Sequence, residues 1–400
     1  MTRPLRIGYV VPQFPGQTHI FFWREIRALE SLGHEVRVIS TRRPPRGLIA
    51  HDWSDIAMER THYLDALAPG KILGGTARLL PRGLLLWMLR DGLWRDAPVS
   101  LGAAQDLYSL SVDERLDHIH VHSCGRAALI AAFARQMGGP PYSLTLHGPL
   151  SDYGPGQRFK WRHAAFATVI TRKLEGEVQQ ALAGSLPDRV IVRPMGVDTD
   201  SLRRDTPYAP PEKGRPLRIF SCGRLNIVKG HQDLMSAVRQ LLDQGVDVRL
   251  EIAGEDDAGG TGYRAELEAH LKRLHLQDHV RLLGAIDAGA VKDKLAEAHL
   301  FVLASWHEPL GVAYMEAMAM GVPVIGTEAG GVPELIEDGR TGILVPPQNP
   351  ATLARTIRDL AGDPARLRRY AEAGRAHVEA HFRSALGAET LAEAIAATRD

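Results

Sequence analysis

The chain has 400 residues, of which 44% are hydrophobic and 24% charged, and a formal net charge of +1. This is the composition of an ordinary globular protein, and its length exceeds what one hydrophobic core organises, so two domains are expected. The two cysteines, Cys124 and Cys222, give neither a disulfide framework nor a zinc-ligand spacing. We expect no nucleic-acid partner.

The N-terminal half alternates strand-like and helix-like segments. Short apolar runs rich in β-branched residues predict strands at 5–11, 34–40, 118–122, 142–146, 167–171 and 189–194. Helical spacing of apolar residues predicts helices at 18–33, 125–137, 158–166 and 174–183. This alternation is typical of a parallel sheet covered by helices, which places residues 1–205 in one Rossmann-like domain.

A proline-rich stretch divides the chain. Residues 206–216 hold four prolines and no apolar pattern, which predicts an interdomain linker. The strand–helix alternation then restarts and continues through 217–383, which indicates a second Rossmann-like domain. Two doubly wound α/β domains are therefore predicted, with a ligand cleft between the carboxyl ends of their strands.

The charge is distributed unevenly. Residues 1–205 hold 26 Lys and Arg against 20 Asp and Glu, a net +6, whereas the remainder holds 22 against 27, a net −5. A basic N-terminal half favours anionic partners such as lipid headgroups or lipid diphosphates. No apolar secretory signal and no uncharged spanning segment is visible, so we expect a cytoplasmic protein with peripheral contact at the inner face of the membrane.

Residues 74–95 combine leucines and tryptophans with scattered arginines. This composition suits an amphipathic helix that lies on a membrane surface. It equally suits a core helix in which Trp87 and Trp94 are buried, and the sequence leaves both interpretations open.

The most informative segment runs from Ala304 to Gly331. Two acids, Glu308 and Glu316, stand eight residues apart, with Gly311 between them and Gly330–Gly331 following. The pattern predicts a strand, a tight turn, a helix, a second strand and a glycine turn. Acids and glycines at the carboxyl ends of strands, beside a helix N-terminus, suit a phosphate and a ribose bound together. The segment therefore predicts a nucleotide-sugar site.

A second motif, GRLNIVKG at 223–230, follows a predicted strand and precedes a predicted helix. Gly223 permits close approach of the backbone to a ligand. Arg224 and Lys229 are suited to a diphosphate, the arginine through its planar fork and the lysine as a point charge. Both are therefore candidates to stabilise a departing nucleoside diphosphate.

Two sites in the N-terminal half are weaker candidates. The loop at 12–20 follows the first predicted strand, where Gly16 can approach a phosphate or the acceptor and His19 can contact the acceptor. His147 lies just past the strand at 142–146, where it can contact the donor sugar or the acceptor. A histidine in that position is also commonly structural.

The segment HIHVH at 118–122 places three histidines on one face of a strand. No carboxylate or cysteine stands at ligand spacing nearby, so we predict no metal site. His120 and His122 remain candidates to line the acceptor site, and plain packing of the three rings is the alternative.

Taken together, these segments resemble the retaining glycosyltransferases of family 4, which have the two-domain GT-B fold. The resemblance covers nearly the whole chain, and its most specific part is 308–335. Further matching segments are 193–202, 221–230, 250–255, 280–286 and 338–347. The segments at 11–36 and 118–122 are similar to the branch that builds bacterial exopolysaccharides and colanic-acid-type polymers.

The resemblance implies a role for each candidate. Glu316 would hold the ribose, Glu308 the donor sugar, and Arg224 with Lys229 the diphosphate, while His147 would sit near the reaction centre. Amides at Gly311 and Gly330–Gly331 would complete the donor pocket. No cofactor and no catalytic metal would be needed, and the C-terminal helix, 384–400, would pack back on the N-terminal half.

The predicted function is transfer of a sugar, with retention, from a nucleoside-diphosphate sugar to a glycan or lipid-linked acceptor in bacterial exopolysaccharide or other cell-surface glycan synthesis. Two alternatives remain open. One is a nucleotide-sugar epimerase or hydrolase on the same fold, which would use the donor without an added acceptor. The other is a non-catalytic partner subunit that binds sugar nucleotides.

Overall fold

The computed structural model describes residues 3–16, 19–44, 53–256 and 262–398, which fall into two compact units. The first unit comprises the described residues up to 195 together with 384–398, and the second comprises 196–383. Residues 196–205 thus belong to the second unit. Arg204 attaches this stretch to that unit, since its guanidinium donates hydrogen bonds to the carbonyls of Leu295, Ala296 and Met320.

The first unit is built on a seven-stranded sheet in which all pairings are parallel. Its strands are β1 (Arg6–Val11), β2 (Glu35–Ser40), β3 (His62–Tyr63), β4 (His118–Val121), β5 (Tyr142–Leu146), β6 (Phe166–Val169) and β7 (Val190–Val192). Its helices up to the second unit are α1 (Ile20–Ser31), α2 (Ser54–Arg60), α3 (Pro69–Leu79), α4 (Leu84–Arg90), α5 (Asp96–Asp113), α6 (Arg126–Gln136), α7 (Gln157–Arg162) and α8 (Arg172–Ala181).

The second unit is built on a six-stranded sheet, again with parallel pairings throughout. Its strands are β8 (Leu217–Cys222), β9 (Val248–Ala253), β10 (Val280–Gly284), β11 (Leu300–Val302), β12 (Val324–Thr327) and β13 (Ile343–Val345). Its helices are α9 (His231–Asp243), α10 (Tyr263–Arg273), α11 (Ala288–Glu297), α12 (Val312–Ala319), α13 (Val332–Leu335), α14 (Pro350–Ala361) and α15 (Pro364–His381), after which α16 (Ser384–Ala396) belongs to the first unit.

Both sheets are doubly wound. The strand order is β3-β2-β1-β4-β5-β6-β7 in the first and β10-β9-β8-β11-β12-β13 in the second, so the order reverses at β1/β4 and at β8/β11. Central strands such as β4 and β5 are buried at every residue, because helices cover both faces of a parallel sheet. In open sheets of this kind, ligands bind at the carboxyl ends of the strands where the order reverses. The predicted α/β architecture is confirmed, and the carboxyl ends of β1/β4 and of β8/β11 are the two candidate ligand sites.

The segment at 74–95 is not one helix, whereas both interpretations of its sequence assumed a single helix. Helix α3 ends at Leu79, a short 3₁₀ turn covers Leu80–Arg82, and α4 begins at Leu84. Pro81 lacks an N–H for the helical ladder, and Gly83 has a left-handed φ of 108°, so the helix breaks here. Among the described residues, no helix has the length and apolar character that spanning a bilayer requires.

Candidate active site

The carboxyl ends of β8 and β11 bring together two residues that are 79 positions apart in the chain. Lys229 lies in a single 3₁₀ turn after β8, and its Nζ is 2.5 Å from Oε2 of Glu308 in the loop after β11. Ser305 Oγ lies 3.4 Å from the same oxygen. The two charged side chains are only 14% and 10% exposed, so this pair is a largely desolvated contact and not a surface salt bridge.

Backbone contacts fix the loop after β8 against the loop after β11. The N–H of Trp306 donates to the carbonyl of Val228 at 2.7 Å, and its indole Nε1 donates to Asp233 at 2.5 Å. Gly230, with a φ of 66°, approaches so closely that a Cβ there would lie 1.9 Å from the carbonyl oxygen of Ala304. The glycine is therefore required for the two loops to meet, and their meeting places Lys229 on Glu308.

The predicted glycine turn at Gly330–Gly331 packs against the backbone of Glu308. The N–H of Gly331 donates to the carbonyl of Glu308 at 2.9 Å. Gly330 has a φ of 62°, and a Cβ added to it would lie 1.9 Å from that same carbonyl oxygen. Only glycine fits this approach, so the turn determines where the backbone of Glu308 sits.

Helix α12 begins immediately beyond this loop. Gly311 caps it with a φ of 98°, and Tyr314 anchors its first turn through a 2.5 Å hydrogen bond to the carbonyl of Leu303. Glu316, one turn into the helix, is half-buried near Cys222 at the end of β8. Burial raises the pKa of Cys222 to about 12, with a further rise from the Glu316 carboxylate and an opposing effect of Lys229. Glu316 and Lys229 therefore both act on the last residue of the same strand.

The other two residues of the second predicted motif stand at the end of β8. The N–H of Gly223 donates to Ala253 at 3.0 Å, which extends the β8/β9 ladder by one residue. Gly254 packs directly on Gly223, since a Cβ on Gly254 would lie 1.9 Å from the carbonyl oxygen of Gly223. Arg224 follows and is exposed. The structure thus gathers the candidates Gly223, Arg224, Lys229, Glu308, Gly311, Glu316, Gly330 and Gly331 in the second unit, around the β8/β11 edge.

The first unit holds the remaining candidates. Gly16 lies in the loop after β1, and its carbonyl accepts a hydrogen bond from the N–H of His19 at 2.9 Å. The ring of His19 packs on Phe22 with a centroid distance of 5.2 Å, and Phe22 in turn lies 5.5 Å from the ring of His147. His147 is half-buried directly after β5, as predicted. These residues lie near β1/β4, where the strand order of the first sheet reverses.

The three histidines of HIHVH are buried, and the two that lie within β4, His118 and His120, contact neighbouring hydroxyls. Ser143 Oγ lies 2.8 Å from Nε2 of His118 and 2.7 Å from Nδ1 of His120. Thr145 Oγ1 lies 2.8 Å from Nε2 of His120. Burial lowers the pKa of His118 to about 3 and that of His120 well below its usual value, so both rings are neutral at pH 7. His120 has both nitrogens occupied, which makes it unsuited to direct contact with an acceptor.

A buried carboxylate that the sequence interpretation missed lies beside this strand. Glu25 of α1 accepts a 2.6 Å hydrogen bond from the Tyr9 hydroxyl, and its Oε2 lies 2.9 Å from Nε2 of His122. Nδ1 of His122 lies 3.2 Å from Nε2 of His147. The signal was present in α1, because Glu25 occupies the apolar stripe formed by Phe22, Ile26 and Leu29. A glutamate within such a stripe indicates a buried partner.

Glu25, His120 and His122 offer ligand atoms within 4.8 Å of one another, a spacing that a metal ion could bridge. The expectation that no carboxylate lies near HIHVH is therefore wrong. The donor set is nevertheless occupied by protein groups: both nitrogens of His120 contact hydroxyls, and Nδ1 of His122 contacts His147. Only Nε2 of His122, 2.9 Å from Oε2 of Glu25, lacks an aligned hydrogen bond, so the arrangement fits a buried polar network better than a ligand set.

Comparison with known proteins assigns both halves of the chain. The model of the glycosyl transferase 4-like domain matches residues 19–196, and that of the group 1 glycosyl transferases matches residues 204–377. The chain belongs to this family of glycosyltransferases, and its two doubly wound units are those of the GT-B fold.

Individual relatives agree with this assignment. The chain is 26% identical over 387 residues to a Salmonella typhimurium protein named colanic acid biosynthesis glycosyltransferase WcaL, covering 89% of this chain and 91% of the relative. A glycosyltransferase from Rickettsia africae superposes with a TM-score of 0.76 at 18% identity, covering 100% of both chains. Anabaena HepE, solved with UDP and with UDP-glucose, gives a TM-score of 0.76 at 18% identity over 98% of this chain and 100% of its own.

Proposed function

We propose that this glycosyltransferase transfers a sugar from a nucleoside-diphosphate sugar to an acceptor hydroxyl with retention of anomeric configuration, in the synthesis of an exopolysaccharide or another cell-surface glycan. The observation that carries the proposal is the Lys229–Glu308 contact beside the N-terminus of α12, at the point where the strand order of the second sheet reverses. That edge combines a cation for a diphosphate with a carboxylate for sugar hydroxyls. The relatives named for polysaccharide synthesis and HepE with its UDP-glucose support the same chemistry.

Each residue of the edge receives a role in this proposal. Lys229 and Arg224 bind the diphosphate, and Glu316 accepts hydrogen bonds from the ribose hydroxyls. Glu308 accepts hydrogen bonds from the donor sugar once the diphosphate competes for its lysine. The N-terminus of α12 adds about 0.3–1 kcal/mol for an anion placed against it. Positive charge for the leaving group thus comes from protein groups, and the proposed reaction requires no metal ion.

The bond between the anomeric carbon and the diphosphate oxygen breaks, and its electron pair leaves with the nucleoside diphosphate. The acceptor oxygen forms the new bond from the same face, and its proton passes to a diphosphate oxygen. Lys229 and Arg224 stabilise the charge that develops on the leaving group. His147 contacts a sugar hydroxyl near the reacting carbon. His120 and His122 are buried and therefore act only through His147.

A thermal-shift panel with UDP, GDP, ADP and their common sugar conjugates, run in EDTA, tests the donor site. A nucleotide at a hundredfold excess over its Kd should stabilise the protein by about 2.7 kcal/mol, or roughly 5 to 10 °C for a unit of this size. We expect one nucleotide family to give this rise and Glu316→Ala to abolish it. A shift that persists in Glu316→Ala would mean that the nucleotide binds elsewhere. The lack of a shift with every conjugate would favour the alternative that the protein is a partner subunit without a donor site.

We also propose that the segment from Leu67 to Val99 contacts an anionic lipid surface, where a lipid-linked acceptor would be held. Eight of the thirteen exposed large hydrophobic residues of the described chain lie in this segment. They are Leu67, Leu73, Leu80, Leu85, Leu86, Leu89, Trp94 and Val99. Trp87, by contrast, is half-buried, and its ring centroid lies 5.0 Å from that of Phe159.

The charge of this segment complements anionic lipid. Arg78, Arg82, Arg90 and Arg95 are all exposed, and none of them has a carboxylate within ion-pair distance in the part of the chain that the structure describes. Asp91, which interrupts the series, is neutralised by Arg162 at 2.9 Å. Each unpaired cation near an anionic bilayer contributes about 1 kcal/mol. Exposed leucines beside such cations are typical of an interfacial contact.

Vesicle co-sedimentation tests this contact. We expect binding to vesicles that contain phosphatidylglycerol, weaker binding to pure phosphatidylcholine, and a loss of about tenfold or more in Leu85→Ser/Leu86→Ser/Leu89→Ser. Ile56→Ser and Val112→Ser provide matched controls, since these side chains are 55% and 52% exposed in the same unit but lie outside the segment. An equal loss of binding in the controls, or equal binding to anionic and neutral vesicles, would show that the segment does not make the proposed contact with anionic lipid.

A further inference from the structure

The polar network of the first unit forms a chain of contacts with a direction. It begins at the buried Glu25 of α1 and passes through the ring of His122. It ends at His147, which is half-buried at the carboxyl end of β5. One carboxylate and two imidazole rings follow one another along it, with contacts of 2.9 Å between Glu25 and His122 and 3.2 Å between His122 and His147. Each neutral imidazole has one N–H and one lone pair, so fixing the proton on the first ring fixes it on the second.

The carboxylate determines the proton position on His122. Oε2 of Glu25 already accepts the Tyr9 hydroxyl at 2.6 Å, which identifies it as an acceptor. Nε2 of His122 is within hydrogen-bond distance of this oxygen, though not aligned as a full hydrogen bond, and has no other partner among the described residues. A bare nitrogen there would set a lone pair against a carboxylate oxygen in a buried site, which is strongly unfavourable. The proton of His122 therefore lies on Nε2.

The second ring follows from the first. Burial lowers the pKa of His122 to about 3 and that of His147 to about 3, so both are neutral at pH 7. With its proton on Nε2, His122 has a lone pair on Nδ1, which can only accept the hydrogen bond at 3.2 Å. His147 must donate it through Nε2–H. Its Nδ1 is then unprotonated, and no described residue donates a hydrogen bond to it.

We propose that Glu25, acting through His122, holds His147 in the tautomer that presents an unprotonated Nδ1 as the acceptor of a hydrogen bond from a sugar hydroxyl. Glu25 and His122 are positioning residues in this assignment, and only His147 contacts a ligand. The assignment of a sugar as the ligand of His147 rests on the proposed function, whereas the assignment of its tautomer does not. The arrangement follows the general rule that a carboxylate behind a histidine selects which ring nitrogen is free.

Helix α16 completes the enclosure of the carboxylate. Gly387 lies so close that a Cβ on it would stand 3.0 Å from Oε1 of Glu25. This glycine therefore lets α16 cover Glu25 without a side chain between them. Exclusion of water strengthens the electrostatic preference that Glu25 imposes on His122, because the local dielectric constant falls.

Long-range proton–nitrogen NMR on protein labelled with ¹⁵N-histidine reads the tautomer directly, and the His147→Gln spectrum assigns the resonances. We expect the Nε2–H form of His147 in the wild type. Glu25→Gln should retain it, since the amide oxygen can occupy the acceptor position, whereas Glu25→Met removes the acceptor and should give a mixture of tautomers. Tyr9→Phe is the matched control, because it removes one hydrogen bond to Glu25 but leaves the carboxylate in place.

Kinetics then connect the tautomer with sugar binding. Glu25→Met is expected to lower kcat/KM by about tenfold or more, the size of one lost hydrogen bond in a buried site, while Glu25→Gln stays near the wild type. If Glu25→Met fails to fold, His122→Phe interrupts the same chain at its middle.

The Nδ1–H form of His147 in the wild-type protein, or an unchanged tautomer in both Glu25→Met and His122→Phe, would overturn the proposal. Because the NMR spectrum is recorded without substrate, it tests the tautomer of His147 independently of the glycosyl transfer reaction. A correct tautomer with unchanged kinetics would remove the assignment of Nδ1 to a sugar hydroxyl.

Discussion

Lys229→Ala is expected to lower kcat/KM for the nucleotide sugar by about two orders of magnitude or more. The substitution removes the cation that we assign to the leaving diphosphate, and one such charge-stabilising group is worth about 10²–10³ in rate. It also leaves the Glu308 carboxylate, 10% exposed, without its cation 2.5 Å away. An uncompensated carboxylate in such a site costs several kcal/mol, so thermal stability should fall as well. Steady-state kinetics and thermal unfolding measure the two effects separately.

A double variant separates catalysis from stability. Lys229→Ala/Glu308→Gln should recover much of the lost melting temperature, because a neutral amide needs no cation, but should recover no activity. Lys294→Ala is the matched control, since Lys294 pairs with Glu251 at 2.9 Å in the same unit, on side chains 30% and 25% exposed. Its loss should be small, as for other exposed ion pairs. If Lys229→Ala affected rate no more than Lys294→Ala, the assignment of Lys229 to the diphosphate would be wrong.

Gly330→Ala is expected to abolish donor binding while destabilising the second unit. The new Cβ would stand 1.9 Å from the carbonyl oxygen of Glu308, so the glycine turn and the Glu308 loop must move apart. The substitution also places alanine at a φ of 62°, which costs about 1–2 kcal/mol by itself. Both effects displace the carboxylate that we assign to the sugar. Titration with the nucleotide that the thermal-shift panel selects, together with chemical denaturation, measures the result.

Gly339→Ala separates backbone strain from the steric clash. Gly339 has a similar φ of 73° in the same unit, but a Cβ there would meet no atom within 4 Å. It should therefore show the cost of the left-handed backbone alone, with donor affinity unchanged. Equal behaviour of the two variants would mean that the close approach of Gly330 to Glu308 has no bearing on the donor site.

The sequence was sufficient for the architecture and for much of the second unit. The alternation of buried strands with amphipathic helices identifies parallel sheets, and the spacing of Glu308, Gly311 and Glu316 places a turn and a helix start correctly. These features are local, because they depend on residues within one or two turns of each other. The contact between Lys229 and Glu308 is not local, and only the β8/β11 neighbourhood in the sheet brings the two together.

The network around Glu25 shows why the rest was missed. The strand predicted at HIHVH is confirmed over His118–Val121, but the carboxylate partner of His122 comes from α1, 97 positions earlier in the chain. No spacing rule connects a helix with a strand at that separation. The glutamate in the apolar stripe of α1 was a visible signal of a buried partner, whereas the identity of that partner depends on how α1 crosses the sheet. Similarly, Pro81 and Gly83 were visible in the segment at 74–95, but the composition of the segment masked the break.

Following the anomeric proton by ¹H NMR during the reaction tests directly whether the enzyme transfers the sugar with retention. The enzyme would be incubated in EDTA with the nucleotide sugar that the thermal-shift panel selects and a bacterial membrane lipid extract as acceptor. We expect a glycoside with the same anomeric configuration as the donor, and one nucleoside diphosphate released for each glycosidic bond formed. A product of inverted configuration, or conversion of the donor into an epimer or free sugar at the same rate without the extract, would rule out the proposed transfer with retention.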